Sequence, residues 1–411
     1  MAVIRPFAGI RPCDEKAHKI AALPYDVYNR AEAKAEVEKE PDSFLKIDRA
    51  ETQFDDSVDT YAPEVYQRAH DTLWDMVAAG DFIREEAPCY YIYELTMDGR
   101  TQTGIVACAS IDDYQNNIIK KHENTRAEKE ADRIRHVDTC NAQTGPIFLA
   151  YRANAVISKV VAATKESKPV YDFVSPDGIG HRVWIISEAE DITAILEAFA
   201  TINEIYIADG HHRCASAVRV GQMRRAANPD YTGEEEFNYF LSVLFPDEEL
   251  MILDYNRVVK DLNGMTAAEL LEKMQGLFSI TPVSKQERKP TEAGSFSMYL
   301  DGNWYLCKVP ADKIPADPVK GLDVSILQEQ LLTPLLAIGD PKTDPRIDFV
   351  GGIRGLDELE RRCSLDCAVA FAMYPTSIAQ LFAVADAGLL MPPKSTWFEP
   401  KLRSGIFIHE I

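Results

Sequence analysis

The sequence predicts an α+β protein with mixed sheets and β-hairpins, and three observations carry that reading. Asp-Gly turns flanked by β-rich runs recur at Asp98-Gly99, Asp177-Gly178 and Asp301-Gly302, the signature of antiparallel hairpins. Capping boxes at Thr125-Arg126-Ala127-Glu128, Ser187-Glu188-Ala189-Glu190 and Thr266-Ala267-Ala268-Glu269 announce helices interleaved with those hairpins. Neither Gly-x-Gly-x-x-Gly nor Gly-x-x-x-x-Gly-Lys-[Ser/Thr] occurs, which argues against the common parallel-sheet nucleotide folds.

In chain order, residues 31–40 form a charged helix and residues 61–79 an amphipathic one that stops at Gly80. The first hairpin spans 89–110 and the second 170–186. A helix from Ser187 carries Ile192, Ile195, Leu196 and Phe199 on one face. Runs 237–244 and 250–253 suggest paired strands around Pro246-Asp247-Glu248. Beyond them come a helix from Thr266, the third hairpin (296–309), helices at 323–338 and 377–387, a strand at 368–374 and a last strand at 406–409. A chain of 411 residues holds two domains with full cores. The polar run 284–294 and the Pro-rich run 311–321 are loops of the second, so the expected domains are 1–260 and 261–411.

Composition narrows the class. With 46% hydrophobic and 27% charged residues the chain is that of an ordinary globular protein. A net charge of -21 argues against nucleic-acid partners, whose backbone demands a basic face. No apolar run reaches membrane-spanning length, and Met1-Ala2-Val3-Ile4-Arg5-Pro6 lacks a secretory core. The eight cysteines are scattered without a Cys-x-x-Cys pair, which suits reduced thiols rather than disulfides or zinc. These features predict a cytoplasmic protein.

The chemistry concentrates at Asp209-Gly210-His211-His212-Arg213. Residues 204–208 are a short buried strand, the helical period begins at His211, and Gly221 is its expected C-terminal cap. His211, His212 and Arg213 therefore occupy the first turn of a helix, whose free N–H groups and dipole favour negative charge. Three cation-capable side chains there conflict with the dipole unless an anion such as phosphate lies between them. Asp209-Gly210 is the two-residue turn between strand and helix, and Asp209 at the strand end could hold a metal ion or act as a base.

Two further stretches invite the same reading. Lys121, His122 and Glu123 stand just ahead of the helix capped by Thr125, and His122 and Glu123 are candidate catalytic or ligand residues. On that helix Arg133 and Arg135 look like surface ion-pair partners. Lys394, Lys401 and Arg403 crowd a Pro-stiffened loop at 392–405 with Trp397 and Phe398. Such cations need an offsetting anion, and the loop is expected to fold back so that Lys394 or Arg403 reaches the Asp209 pocket. Asp26, in Pro24-Tyr25-Asp26-Val27, is a weaker candidate.

Taken together, Arg5-Pro6-Phe7, Pro24-Tyr25-Asp26-Val27, His122-Glu123-Asn124-Thr125, Ala208-Asp209-Gly210-His211-His212-Arg213 and Met391-Pro392-Pro393-Lys394-Ser395-Thr396 resemble the domain-of-unknown-function family 1015 over nearly the whole chain. That resemblance implies a ParB/sulfiredoxin-like fold for the N-terminal part, in which a strand–turn–helix element matching residues 209–213 cradles nucleotide phosphates. Relatives in that superfamily include CTP-binding ParB proteins, sulfiredoxins and kinases of free L-serine. This chain departs from sulfiredoxin, because Cys214 follows the turn on a helix. It also lacks the helix-turn-helix block and basic character of a DNA-partition protein. The implied function is phosphoryl transfer from ATP or another nucleoside phosphate, with Mg²⁺, to a small hydroxyl metabolite, free L-serine among the candidates. His211, His212, Arg213, Lys394 and Arg403 would bind phosphate, and Asp209, Glu123 and His122 would serve the chemistry. The alternatives are a nucleotide-responsive regulatory module without turnover and a metal-dependent phosphoesterase.

Overall fold

A computed structural model describes residues 1–411, which divide into two compact units: Met1–Leu250 with Pro400–Ile411, and Met251–Glu399. The expected division at 260/261 assigns the last segment to the second domain. The structure returns that segment to the first unit because it completes pairings there: Ser404 bridges Ala22, Ile408 bridges Ile10, and His409–Glu410 pairs with Ala142–Gln143.

The first unit is built on a nine-stranded mixed sheet. Its strands are β1 (Ile4–Arg5), β2 (Tyr90–Met97), β3 (Arg100–Ser110), β4 (Ile119–Lys120), β5 (Ile147–Tyr151), β6 (Tyr171–Val174), β7 (Gly180–Ile186), β8 (Ile205–Asp209) and β9 (Tyr239–Pro246). They lie in the order β4-β8-β5-β9-β3-β2-β7-β6, with β1 on β3. The β2–β3 hairpin turns at Asp98 and Gly99, whose φ values of 51° and 78° fit the primed turn that Asp-Gly favours. The second expected hairpin is β6–β7. β9 does not pair with residues 250–253 as its sequence neighbourhood suggested. It inserts between β5 and β3, while Ile252–Leu253 pairs with Trp397–Phe398 in the second unit. Fully buried β9 finds more apolar surface in the sheet centre than a short turn can offer.

Helices α1 (Pro63–Ala78), α2 (Ala127–Cys140), α3 (Ala155–Lys165), α4 (Ala189–Phe199) and α5 (His211–Ala227) surround this sheet. One core joins the sheet to α3, α4 and α5 through Ile157, Ile195, Phe199, Cys214 and Val218. A second gathers Phe44, Leu73 and Met76 with Cys140 and Ile408. Two of the three expected capping boxes do not form. The α2 N-cap is Arg126, with Thr125 turned to Glu130 at 2.8 Å, and the α4 N-cap is Glu188, without a side-chain bond. The box at Thr266 and Glu269 forms as expected.

Gly221 does not end α5, which continues to Ala227. Its φ is ordinary, and the absence of a side chain matters instead. A Cβ there would lie 2.4 Å from the Phe237 carbonyl oxygen and 2.7 Å from Ile111 Cδ1, so the residue lets the helix sit down on its neighbours.

The second unit is a six-stranded antiparallel sheet in the order Ser279–Val283, Asn303–Lys308, Ser295–Leu300, Val369–Met373, Tyr255–Val259, Ile347–Gly351. Its hairpin turns at Asp301 and Gly302, with φ of 47° and 77°. The helix expected over 323–338 is a short α-turn, Asp323–Leu327, continued by a π-helical stretch, Gln328–Leu332.

Candidate functional site

Strand β8 brings Asp209 to a sheet end beside an irregularity. Ile207 pairs with Leu149 and Asp209 with Phe148, so Ala208 is bulged out of the ladder. Such a bulge re-aims the residue that follows it. Gly210 then takes φ 90° as the N-cap of α5, a conformation only glycine adopts without strain. The Arg213 guanidinium fills the space: a Cβ on Gly210 would lie 3.0 Å from Nη2, and one on Gly145 would lie 3.5 Å from Nη1. Arg213 donates to the Pro146 carbonyl at 2.5 Å and has no carboxylate partner. No side chain caps α5, leaving the N–H groups of His212 and Arg213 without an acceptor in the chain.

The two histidines are not the cations their position suggested. His211 Nε2 accepts the His122 backbone N–H at 3.4 Å, and His212 Nε2 accepts the Arg126 N–H at 3.0 Å. An imidazole nitrogen that accepts is unprotonated. Burial holds both rings below their usual pKa, with neighbouring His122 adding to the effect on His211 and Lys129 on His212. Their work is to tie the β4–α2 loop to the start of α5. His122, 2% exposed, lies edge-on to His211 with ring centroids 4.5 Å apart. Its Nδ1 is buried without a partner, and burial lowers its pKa to about 4.

Asp209 is the accessible member of the group, its side chain 36% exposed. Oδ1 accepts the Gly210 N–H at 2.9 Å and Oδ2 the Lys401 ammonium at 3.0 Å. Desolvation would raise its pKa, but the charges of Lys401 and Arg213 outweigh it and hold the carboxyl well below the usual range. Asp209 is thus an ionised carboxylate at working pH. Glu123 is exposed in the loop ahead of α2. No group of three His, Cys, Asp or Glu side chains is placed to hold a metal ion.

The C-terminal segment does fold onto this unit, but with other cations than expected. Lys401 is the one that reaches Asp209. Arg403, with a side chain 4% exposed, is buried against Asp177 at 2.5 Å and Ser175 at 3.1 Å, and its Nε faces His181 at 3.4 Å. It is a clamp for the β6–β7 turn, not a phosphate ligand. Lys394 belongs to the second unit, where its ammonium lies 5.5 Å from the Tyr255 ring centre and its carbonyl accepts from Arg257. Carboxylates of the chain itself offset two of the three cations, so no external anion is required to balance the loop. Lys401 carries no local signal that distinguishes it from Lys394 or Arg403.

The neutral histidines make the fold acid-sensitive. His122 is lowered from 6.5 to about 4, and His181 to about 3 by burial and Arg403. Between those values and 6.5 the unfolded chain binds more protons than the folded one, so stability is complete above 6.5 and falls as pH drops. Each such histidine contributes a slope of about 1.4 kcal/mol per pH unit in that window. Melting temperature should therefore fall steadily from pH 7 to pH 5, and His181→Asn should flatten the profile. A flat wild-type profile would refute the assignment.

Fold and turn together define an α+β protein with a glycine-hinged strand-to-helix turn whose first helical N–H groups are uncapped, beside an ionised aspartate. The chain belongs to the family described as a protein of unknown function, DUF1015, whose profile matches residues 4–325. Among curated proteins no sequence matches it significantly. Similar solved structures include a free serine kinase in complex with AMP, at 12% identity and a TM-score of 0.34, covering 73% of this chain and 91% of that one. They also include C-terminally truncated SbnI from Staphylococcus aureus, at 11% identity and 0.35, covering 72% and 85%. A conserved hypothetical protein from Pyrococcus furiosus stands at 14% and 0.33, covering 74% and 94%.

Proposed function

We propose that the first unit binds a nucleoside polyphosphate at the start of α5 and transfers a phosphoryl group to a small hydroxyl metabolite. The observation that carries this reading is the uncapped first turn of α5 with the carboxylate-free guanidinium of Arg213 lying against it. Unpaired N–H groups, a helix dipole and an Arg fork are what a phosphate requires. The histidines that the sequence offered as cations serve instead as the scaffold of the turn.

Asp209 stands one residue before the cradle, where it would orient the acceptor hydroxyl. As the new O–P bond forms and the bond to the departing nucleoside diphosphate breaks, the hydroxyl proton would pass to Asp209 and on to water. The depressed pKa suits a late, weakly basic acceptor of that proton. Lys401 would offset the charge of the phosphates. A Mg²⁺ ion fits if Asp209 supplies one ligand and phosphate oxygens and water the rest, as is usual for this ion, and it would neutralise phosphate charge. Glu123, exposed in the loop ahead of α2, is the second carboxylate to which this reading gives a role. The superfamily resemblance makes free L-serine the first acceptor to try.

One observation favours the alternative of binding without turnover: Lys401 already occupies Oδ2 of the only carboxylate at the turn itself. The deciding assay follows nucleoside diphosphate release from ATP, CTP, GTP and UTP, with Mg²⁺, with and without hydroxyl acceptors. Acceptor-dependent release supports the transferase, while a melting-temperature shift without release marks a regulatory module. No shift with any nucleotide removes both. Arg213→Ala should weaken nucleotide binding about ten- to a hundredfold, the worth of one charge-assisted hydrogen-bonding group.

A further inference from the structure

One cation of the 392–405 loop is left over once Asp209 and Asp177 have taken Lys401 and Arg403. Lys394 stands exposed in the second unit, and its ammonium has an aromatic ring, not a carboxylate, for a partner. Its backbone takes φ 60°, a left-handed conformation that strains a lysine. The other non-glycine residues with positive φ are Asn or Asp, which tolerate it, apart from Ala337. Three side-chain bonds to carbonyls hold the loop in this shape. Arg257 Nη2 donates to Lys394 at 3.0 Å, the Ser395 hydroxyl to Pro392 at 2.6 Å and the Thr376 hydroxyl to Ser395 at 3.1 Å. Strain kept in place by its surroundings in this way is found where a site must hold one geometry.

The tether Arg257 carries the second observation. It is 4% exposed in the strand Tyr255–Val259, with Phe349 and Phe371 as its cross-strand neighbours. A buried guanidinium is ordinarily met by a carboxylate. Here Nη1 donates to the Tyr255 carbonyl, Nη2 to that of Lys394, and the Phe349 ring centre lies 5.5 Å away. None of these partners is charged. The acids nearest in sequence are engaged by neutral donors of their own: Asp254 accepts the Asn256 amide at 2.5 Å, and Glu399 the Trp397 indole N–H at 2.8 Å. Burial draws the Arg257 pKa down to about 10, as happens when no neighbour offsets the desolvation of a cation. The Lys394 ammonium lies 5.5 Å from the ring centre of the same Tyr255. Strand and loop thus bring two uncompensated cations to one residue, in a chain whose net charge is -21. A neutral amide could tether the loop carbonyl as well, so the tether does not explain the charge.

We propose that Lys394 and Arg257 form an oxyanion site in the second unit that takes the phosphoryl group of a small phosphorylated compound. Two positive charges match a phosphate dianion better than a singly charged carboxylate. The exposed ammonium meets the phosphate oxygens, and the guanidinium, bonded to the carbonyl of the same lysine, supplies the second charge. No residue of the α5 turn takes part, so the site does not rest on the transferase reading.

The test is calorimetric titration of the full-length chain, without nucleotide and at fixed ionic strength, with inorganic phosphate, glycerol 3-phosphate and acetate. One or both phosphates should bind, the tighter of the two telling free ion from ester, and acetate should bind at least about tenfold more weakly. Lys394→Gly should weaken phosphate binding by about tenfold or more. It should nevertheless melt no lower than wild type, because glycine takes φ 60° without strain, and its ATP affinity should be unchanged. Arg257→Gln keeps a donor for the loop carbonyl and should also weaken phosphate; if it folds poorly, Lys394→Gly decides alone. Acetate binding as tightly as phosphate, no phosphate binding up to about 10 mM, or undiminished binding by Lys394→Gly overturns the proposal. A Lys394→Gly protein that loses ATP and phosphate alike overturns the assignment of a ligand separate from the nucleotide. Phosphate binding by a wild-type protein that binds no nucleotide leaves this site standing and removes the transferase reading alone.

Discussion

Asp209→Asn is expected to reduce acceptor-dependent phosphoryl transfer by about a thousandfold, within the range ascribed to a positioned acid–base group. The amide keeps the shape of the carboxylate and can still accept the Gly210 N–H, so the turn at φ 90° should persist. What disappears is the charge. Lys401 loses this ion pair and, on the transferase reading, the acceptor proton loses its destination. Because the Asp209 side chain is about a third exposed, the ion pair is partly screened and its loss should cost about 1 kcal/mol or less. The expected signature is therefore a large fall in kcat with an almost unchanged denaturation midpoint. A variant that keeps its activity, or one destabilised by several kcal/mol, would show Asp209 to be a structural residue.

Gly405→Ala should have the largest effect on stability, about 2–4 kcal/mol. Two independent penalties meet there. Its φ is 82°, in the region that disfavours a side chain, and an added Cβ would lie 2.4 Å from Phe44 Cγ. Phe44 is fully buried in the second core of the first unit, so the ring has little room to retreat. The Gly405 N–H bonds the Thr144 carbonyl at 3.2 Å, beside the Ser404–Ala22 bridge. Strain at this point should loosen the segment that carries Lys401 and Arg403, so site function should fall along with the urea midpoint. A Gly405→Ala protein that melts like wild type would mean that the C-terminal segment is not anchored through this contact.

The parts of the fold open to sequence reasoning are those with local causes. Asp98-Gly99 and Asp301-Gly302 turn their hairpins because both residues must take positive φ, a demand two adjacent residues satisfy by themselves. The strand, turn and helix at 205–213 are local in the same way. Arg133 shows where local reading stops. It resembles a surface ion-pair residue, yet Arg133, His136 and Cys140 form the buried face of α2, and their spacing of three and four was the available signal. Gly221 fits a helix cap in sequence, because the Phe237 carbonyl that excludes a side chain lies far along the chain.

By itself, then, the sequence determined the α+β class, the hairpins and the position of the candidate turn, since dihedral preference and hydrophobic period act over a few residues. Tertiary structure alone decided the charge state of His211 and His212, which depends on burial and on backbone donors supplied from 122 and 126. It also decided which C-terminal cation meets Asp209. Lys394, Lys401 and Arg403 are chemically interchangeable in a sequence, and only the path of the chain, pinned at Gly405, places the Lys401 ammonium 3.0 Å from the carboxylate. Electrostatic energy depends on distance in space, and residues 209 and 401 are close only because the sheet and the returning segment make them so.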